Sequence, residues 1–130
     1  MKKLIDNEFA VLFFDSVTNS LIVVWKRPTT TDSFKLIHAI ILDKIAEYGA
    51  DGLISDIFQQ GLVATENRRW LQNEILPRAS KQGLRKVAVV APEDLFSKYY
   101  IENIQSGIDF HNLQMDFSTF SDLITAQSWF

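Results

Sequence analysis

The chain has 130 residues, of which 47% are hydrophobic and 22% are charged, values that exclude a disordered or collagen-like protein. Cysteine is absent, which excludes disulfides, thiolate nucleophiles and iron–sulfur ligation. The net charge of −3 argues against a general nucleic-acid-binding protein.

The N-terminal third predicts a β-hairpin followed by a helix. Phe9–Asp15 and Leu21–Trp25 are apolar runs separated by a polar turn, the pattern of two antiparallel strands. Apolar residues then recur at helical spacing up to Tyr48, and Gly49 ends this helix. The helix cap is expected among the residues 31–33.

The rest of the chain alternates strands and helices. Strands are predicted at Leu53–Phe58, Val87–Ala91 and Leu113–Phe117. Helices are predicted from Thr65 to Gly83 with a kink at Pro77, from Pro92 to Gly107, and from Thr119 to Trp129. This order predicts a single α/β domain over residues 1–130, with a mixed, mostly parallel sheet.

Three stretches resemble the STAS-like family, in particular its SpoIIAA-like, STAS/CRAL-TRIO-related proteins. They are Leu21–Lys26 (LIVVWK), Glu66–Ala79 (ENRRWLQNEILPRA) and Lys86–Phe96 (KVAVVAPEDLF). The resemblance implies a sheet of four or five strands with helices packed mainly on one face. It also implies a noncatalytic domain without cofactor that binds a protein partner or an apolar small molecule.

The resemblance draws attention to Thr65. In anti-sigma-factor antagonists of this fold, a kinase phosphorylates a serine in an Asp-Ser-Ser-Gly loop that opens a helix. Thr65 occupies the matching place in Val63–Asn67, although the preceding Asp and the following Gly are absent. Thr65 is also a good helix cap, and Arg68 or Arg69 could contact a phosphate there. The plain cap is the favoured interpretation, and the phosphorylation site is the alternative.

No catalytic or metal site is expected from the residues. His38 lies on a helix without a second ligand at helical spacing, and His111 lies in a loop. The Ser55–Asp56 pair ends a strand, where α/β proteins carry sites, but neighbouring strand residues point to opposite faces. Asp56 is expected to accept backbone hydrogen bonds from the next loop. An enzyme with a site near Asp56 and Glu93 remains the third alternative.

The charges are unevenly distributed along the chain. Residues 66–90 carry a net charge of +4 and residues 91–130 a net charge of −5. Such asymmetry is typical of solvated helix faces and also suits pairing with a charged partner, for which Arg68, Arg69 and Arg78 are candidate contacts. A homodimer is expected, and the aromatic C-terminus is expected to dock on its own domain or on a second subunit.

A cytoplasmic protein is expected, without integral membrane association. Asp6, Asn7 and Glu8 interrupt the N-terminal apolar run, a pattern that argues against a signal peptide. The longest uncharged apolar stretch is far shorter than the roughly 20 residues that span a bilayer.

Overall fold

A computed structural model describes the whole chain, Met1–Phe130, as an α/β protein built on one sheet. The strands are β1 (Lys2–Asp6), β2 (Ala10–Asp15), β3 (Ser20–Trp25), β4 (Gly52–Asp56), β5 (Lys86–Val90) and β6 (Asp116–Phe120). The helices are α1 (Thr31–Tyr48), α2 (Thr65–Trp70), α3 (Leu76–Lys81), α4 (Leu95–Phe110) and α5 (Leu123–Trp129). A π-helical segment, Leu71–Ile75, joins α2 to α3.

The six strands lie in the order in which they occur along the chain. β1, β2 and β3 pair antiparallel, and β3, β4, β5 and β6 pair parallel. The predicted α/β class and the initial hairpin are confirmed, but the predicted number of four or five strands is wrong. The additional strand is β1. It was not predicted because its two lysines and the register shift between Lys3 and Ile5 interrupt the simple alternation of a strand.

The two faces of the sheet are covered differently. α1, α4 and the continuous α2–π–α3 helix pack on one face and form the larger hydrophobic core, which includes Trp25, Phe34 and Leu84. α5 packs on the other face, where Ala126 contacts a smaller cluster around Ile22 and Ile54. We call these the helical face and the α5 face.

Several helix ends differ from the prediction. The N-cap of α1 is Thr30, whose side chain forms a capping box with Ser33, outside the predicted residues 31–33. Gly49 ends the helix as predicted and adopts the left-handed conformation. α4 begins at Leu95 after the N-cap Asp94 and continues through Gly107 to Phe110. β6 and α5 each begin three or four residues later than predicted.

Pro77 lies where the helix changes its hydrogen-bonding pattern. The N–H of Leu76 donates to the carbonyl of Leu71, five residues earlier, in the π-helical segment. Proline has no N–H to continue the ladder, and π turns are a known way for a helix to absorb such a defect. The distortion predicted at Pro77 is therefore realised as a π-helical segment immediately before it.

The C-terminus docks on its own domain, which was one of the two predicted outcomes. The Phe130 ring lies against Gly52, where an added Cβ would come within 2.6 Å of the ring. Lys86 Nζ donates to the Trp129 carbonyl oxygen at 2.7 Å and lies 4.4 Å from the centre of the Trp129 ring. These contacts hold α5 on the sheet.

None of the helices combines the length and the apolar composition that a membrane crossing requires.

Candidate functional site

An open groove of about 830 Å³ lies at the carboxyl ends of β5 and β6, beside the first turns of α4. In open α/β sheets ligands most often bind at the carboxyl ends of the strands, because the loops that leave the parallel strands meet there. The groove carries three carboxylates and one amine, and it also carries apolar side chains. The charged residues are Glu93, Asp94, Lys98 and Glu102, and the apolar ones include Leu95 and Ile101.

The start of α4 shapes this groove. Asp94 caps the helix by accepting a hydrogen bond from the backbone N–H of Ser97 at 2.7 Å. Tyr100 on one side of α4 is buried, whereas three large apolar side chains of this helix are exposed. Leu95, Phe96 and Tyr99 are 57%, 52% and 43% exposed. Two turns of one helix therefore present an apolar surface to solvent beside the groove.

The loop after β4 also lies at the carboxyl ends of the strands. Asp56 accepts a hydrogen bond from the N–H of Phe58 at 3.1 Å, as predicted, and its burial raises its pKa. Phe58 itself is exposed. Ser55 points to the helical face, where its hydroxyl accepts a hydrogen bond from Trp25 Nε1 at 3.3 Å. Glu93 lines the groove and Asp56 does not, so the structure does not bring these two carboxylates into one site.

The helix-capping role predicted for Thr65 is wrong. The N-cap of α2 is Ala64, which makes no side-chain cap bond, and Thr65 is the first residue of the helix and is exposed. The Arg68 guanidinium donates to Thr65 Oγ1 at 3.0 Å and lies 5.6 Å from the centre of the Tyr99 ring. Arg68 thus links the start of α2 to the exposed surface of α4.

The other two candidate arginines lie apart from the groove. Arg69 and Arg78 are exposed on α2 and α3, and neither takes part in an ion pair. Of the three predicted contacts, only Arg68 touches a residue of the α4 surface.

Three buried polar atoms without a hydrogen-bond partner were not predicted. Gln60 Nε2, Asn67 Oδ1 and Arg68 Nε are buried without a hydrogen-bond partner. Asn67 Nδ2 donates to Thr31 Oγ1 at 3.3 Å, which ties α2 to the start of α1. A signal was present in the sequence, because Asn67 lies three and four residues before Trp70 and Leu71 and so falls on the apolar side of the helix.

Neither histidine lines the groove. His38 is buried among aromatic rings, and its Nδ1 donates to the Phe34 carbonyl oxygen at 2.8 Å. Burial lowers its pKa to about 4, which keeps the ring neutral at physiological pH. His111 pairs with Asn73 Oδ1 at 3.0 Å on the surface. No group of three His, Cys, Asp or Glu residues is arranged to hold a metal ion.

A small cavity lies between the helices and the sheet. Its volume is about 40 Å³, and thirteen of its fifteen lining residues are hydrophobic, with His38 and Ser55 as the polar exceptions. Pockets for drug-sized ligands are larger, roughly 300–1,000 Å³. The interior of the protein is therefore packed too closely for an apolar ligand of that size.

No protein-family model matches the chain, and no curated protein matches it significantly. The resemblance to STAS-like proteins stays a prediction.

Proposed function

We propose that the protein is a noncatalytic, STAS-like interaction domain whose partner is another protein. The observation that carries the proposal is the exposure of Leu95, Phe96 and Tyr99 within the first two turns of α4, beside an open groove. Clustered exposed apolar side chains next to a groove are typical of protein-interaction surfaces.

The groove and the internal cavity support a protein partner over an apolar small molecule. The groove is open and bordered by charged side chains, an environment suited to a peptide segment. The enclosed cavity holds only about 40 Å³. If the ligand is instead a small molecule, native mass spectrometry of protein purified from its cells should detect a bound mass.

A surface variant tests the proposal. Leu95→Ser combined with Phe96→Ser removes two exposed apolar side chains without touching the core. The matched control is Val17→Ser combined with Ile124→Ser, which removes two exposed apolar side chains at other places. Equal unfolding temperatures of the two variants would show that both fold alike.

We expect one or more proteins to copurify with the wild type and with the control variant, and to be lost from the α4 variant. The complex should then form again from purified components. A partner that binds the α4 variant as tightly as the wild type would contradict the proposed surface. The expected homodimer is tested by light scattering, where a monomer at high micromolar concentration would exclude it.

The second candidate function is a regulator switched by phosphorylation of Thr65. It is favoured by the exposure of Thr65 and by the Arg68 guanidinium that already contacts its hydroxyl. A phosphate there would gain a charge-assisted hydrogen bond to Arg68. Thr65→Glu should then change partner binding and Thr65→Ala should not, whereas equal binding of both variants would contradict the switch.

A further inference from the structure

The two edges of the sheet differ in how they are protected from pairing with another chain. β1, at one edge, carries Lys2 and Lys3 and a register break between Lys3 and Ile5. Lysines and bulges are devices by which natural edge strands discourage further pairing. β6, at the opposite edge, contains neither lysine nor proline and pairs with β5 in continuous register. One edge is blocked and the other is open.

The hydrogen bonds of β6 identify the groups that face outward. The Asp116 N–H donates to the Arg85 carbonyl, and the Phe120 carbonyl accepts from the Ala91 N–H, so both residues direct these groups toward β5. Backbone direction alternates along a strand. Phe117 and Thr119 therefore direct their N–H and carbonyl groups away from the sheet, where a further strand can pair with them.

The groove lies beside this open edge and is acidic. Thr119 lines it from β6, and Glu93, Asp94 and Glu102 line it with Lys98 as the only base. Residues 91–130 as a whole carry a net charge of −5. A segment that lies along β6 would therefore meet negative charge on the side of the sheet that carries α4.

We propose that the partner docks by adding an extended, basic segment to the outer edge of β6. Its backbone pairs with Phe117 and Thr119, and its lysine or arginine side chains reach the carboxylates of the groove. A second copy of this chain fits less well, since pairing β6 with β6 would bring two acidic surfaces together. This inference rests on the proposed function and names the chemistry of the partner.

Synthetic peptides test both parts of the proposal. The probe is a labelled peptide of alternating lysine and valine, about nine residues long, which is the upper range of natural strands. One control peptide has glutamate in place of lysine, and another has the same sequence with every backbone nitrogen methylated. We expect fluorescence anisotropy to detect binding of the probe alone. Equal binding of the methylated peptide would overturn edge pairing, because it keeps the charge and lacks the donors.

Protein variants locate the binding site. Thr119→Pro removes an outward N–H that no strand of this chain uses, and Glu93→Lys with Glu102→Lys reverses the groove charge without altering the strand. Each should weaken the binding of the probe by about tenfold or more. Glu74→Lys, an exposed charge reversal on the π-helical segment, is the control and should bind like the wild type. If the groove variant binds the probe as tightly as the wild type does, the proposal is overturned, regardless of how tightly Thr119→Pro binds it.

Two further outcomes separate this inference from the proposed function. Partner binding that survives the β6 and groove variants but is lost with Leu95→Ser and Phe96→Ser would overturn the edge docking and leave the α4 surface in place. A wild-type dimer that the groove charge reversal alters and Glu74→Lys does not would identify a second copy as the occupant, again against the proposal. Slower amide exchange of Phe117 and Thr119 with bound probe would support it.

Discussion

The helical face and the α5 face of the sheet differ greatly in the packing that holds them. The helical face joins 24 buried residues into one core, whereas the α5 face has a cluster of five. Because stability scales with buried apolar area, the helical face dominates the free energy of unfolding. We therefore expect α5 to open locally without unfolding the protein. The contrast implies that equivalent substitutions on the two faces have unequal effects.

A pair of phenylalanine truncations tests this contrast most directly. Phe34 is fully buried on the helical face, among Trp25, His38 and Tyr100, and Phe34→Ala should lower the free energy of unfolding by about 3–5 kcal/mol. Phe120 is half-buried on the α5 face, so Phe120→Ala should cost about 1–2 kcal/mol. Urea denaturation measures both, and equal losses would contradict the unequal division of stability.

The pH dependence of stability is the next largest effect and also originates on the helical face. His38 has a pKa of about 4 in the folded protein, against 6.5 for an unperturbed histidine. The unfolded chain therefore takes up the proton first, and stability that is complete above pH 6.5 is lost as the pH falls toward 4. The difference amounts to roughly 3 kcal/mol.

Histidine variants isolate this contribution. Lowering the pH from 6.5 to 4 should reduce the free energy of unfolding of the wild type more than that of His38→Gln. His111→Gln, at a half-buried histidine that pairs with Asn73, is the matched control, and the loss of stability at low pH should persist in it. Parallel denaturation profiles of wild type and His38→Gln over this range would show that His38 is not the titrating group.

These elements also show how far the sequence alone predicts the fold. The C-terminal end of α1 at Tyr48 followed from the apolar spacing and from Gly49, since both are local signals. β1 was missed because its charged, interrupted pattern is that of an edge strand, which no local alternation reveals. The predicted end of α4 at Gly107 was wrong because that glycine serves a contact between distant segments rather than a helix stop.

The candidate site was less predictable than the fold. Arg68 and Glu93 were named from the sequence, but the groove needs β6 beside the first turns of α4, and β6 was placed three residues too early. Gln60 and Asn67 become buried only when the β4–α2 loop and α2 fold onto the rest of the protein. Sites assembled from separate loops depend on tertiary placement, which residue patterns do not specify.

Gly107 permits a third, smaller test of the helical face. An added Cβ would lie 2.9 Å from Gln72 Cγ and from Leu76 Cδ1, and 3.2 Å from the Gln72 carbonyl oxygen. The expected gain in helix propensity, about 1 kcal/mol, is therefore outweighed by overpacking, and Gly107→Ala should destabilise by about 1–2 kcal/mol. Ser106→Ala, at an exposed neighbour, should be neutral or slightly stabilising. A stabilised Gly107→Ala variant would show that α4 and the π-helical segment are not in close contact.

The smallest expected effect is on the α5 face and concerns local opening. Lys86→Met removes the hydrogen bond to the Trp129 carbonyl and the amine beside its ring, at a cost in global stability of about 1 kcal/mol or less. Amide exchange in α5 should accelerate while exchange in β5 stays unchanged, because Lys86 holds the helix end and its strand is held by both neighbours. Lys81→Met, an exposed lysine on α3, should leave both unchanged. Acceleration in β5 as well would mean that the α5 face unfolds together with the rest of the protein, and the division between the two faces would then fail.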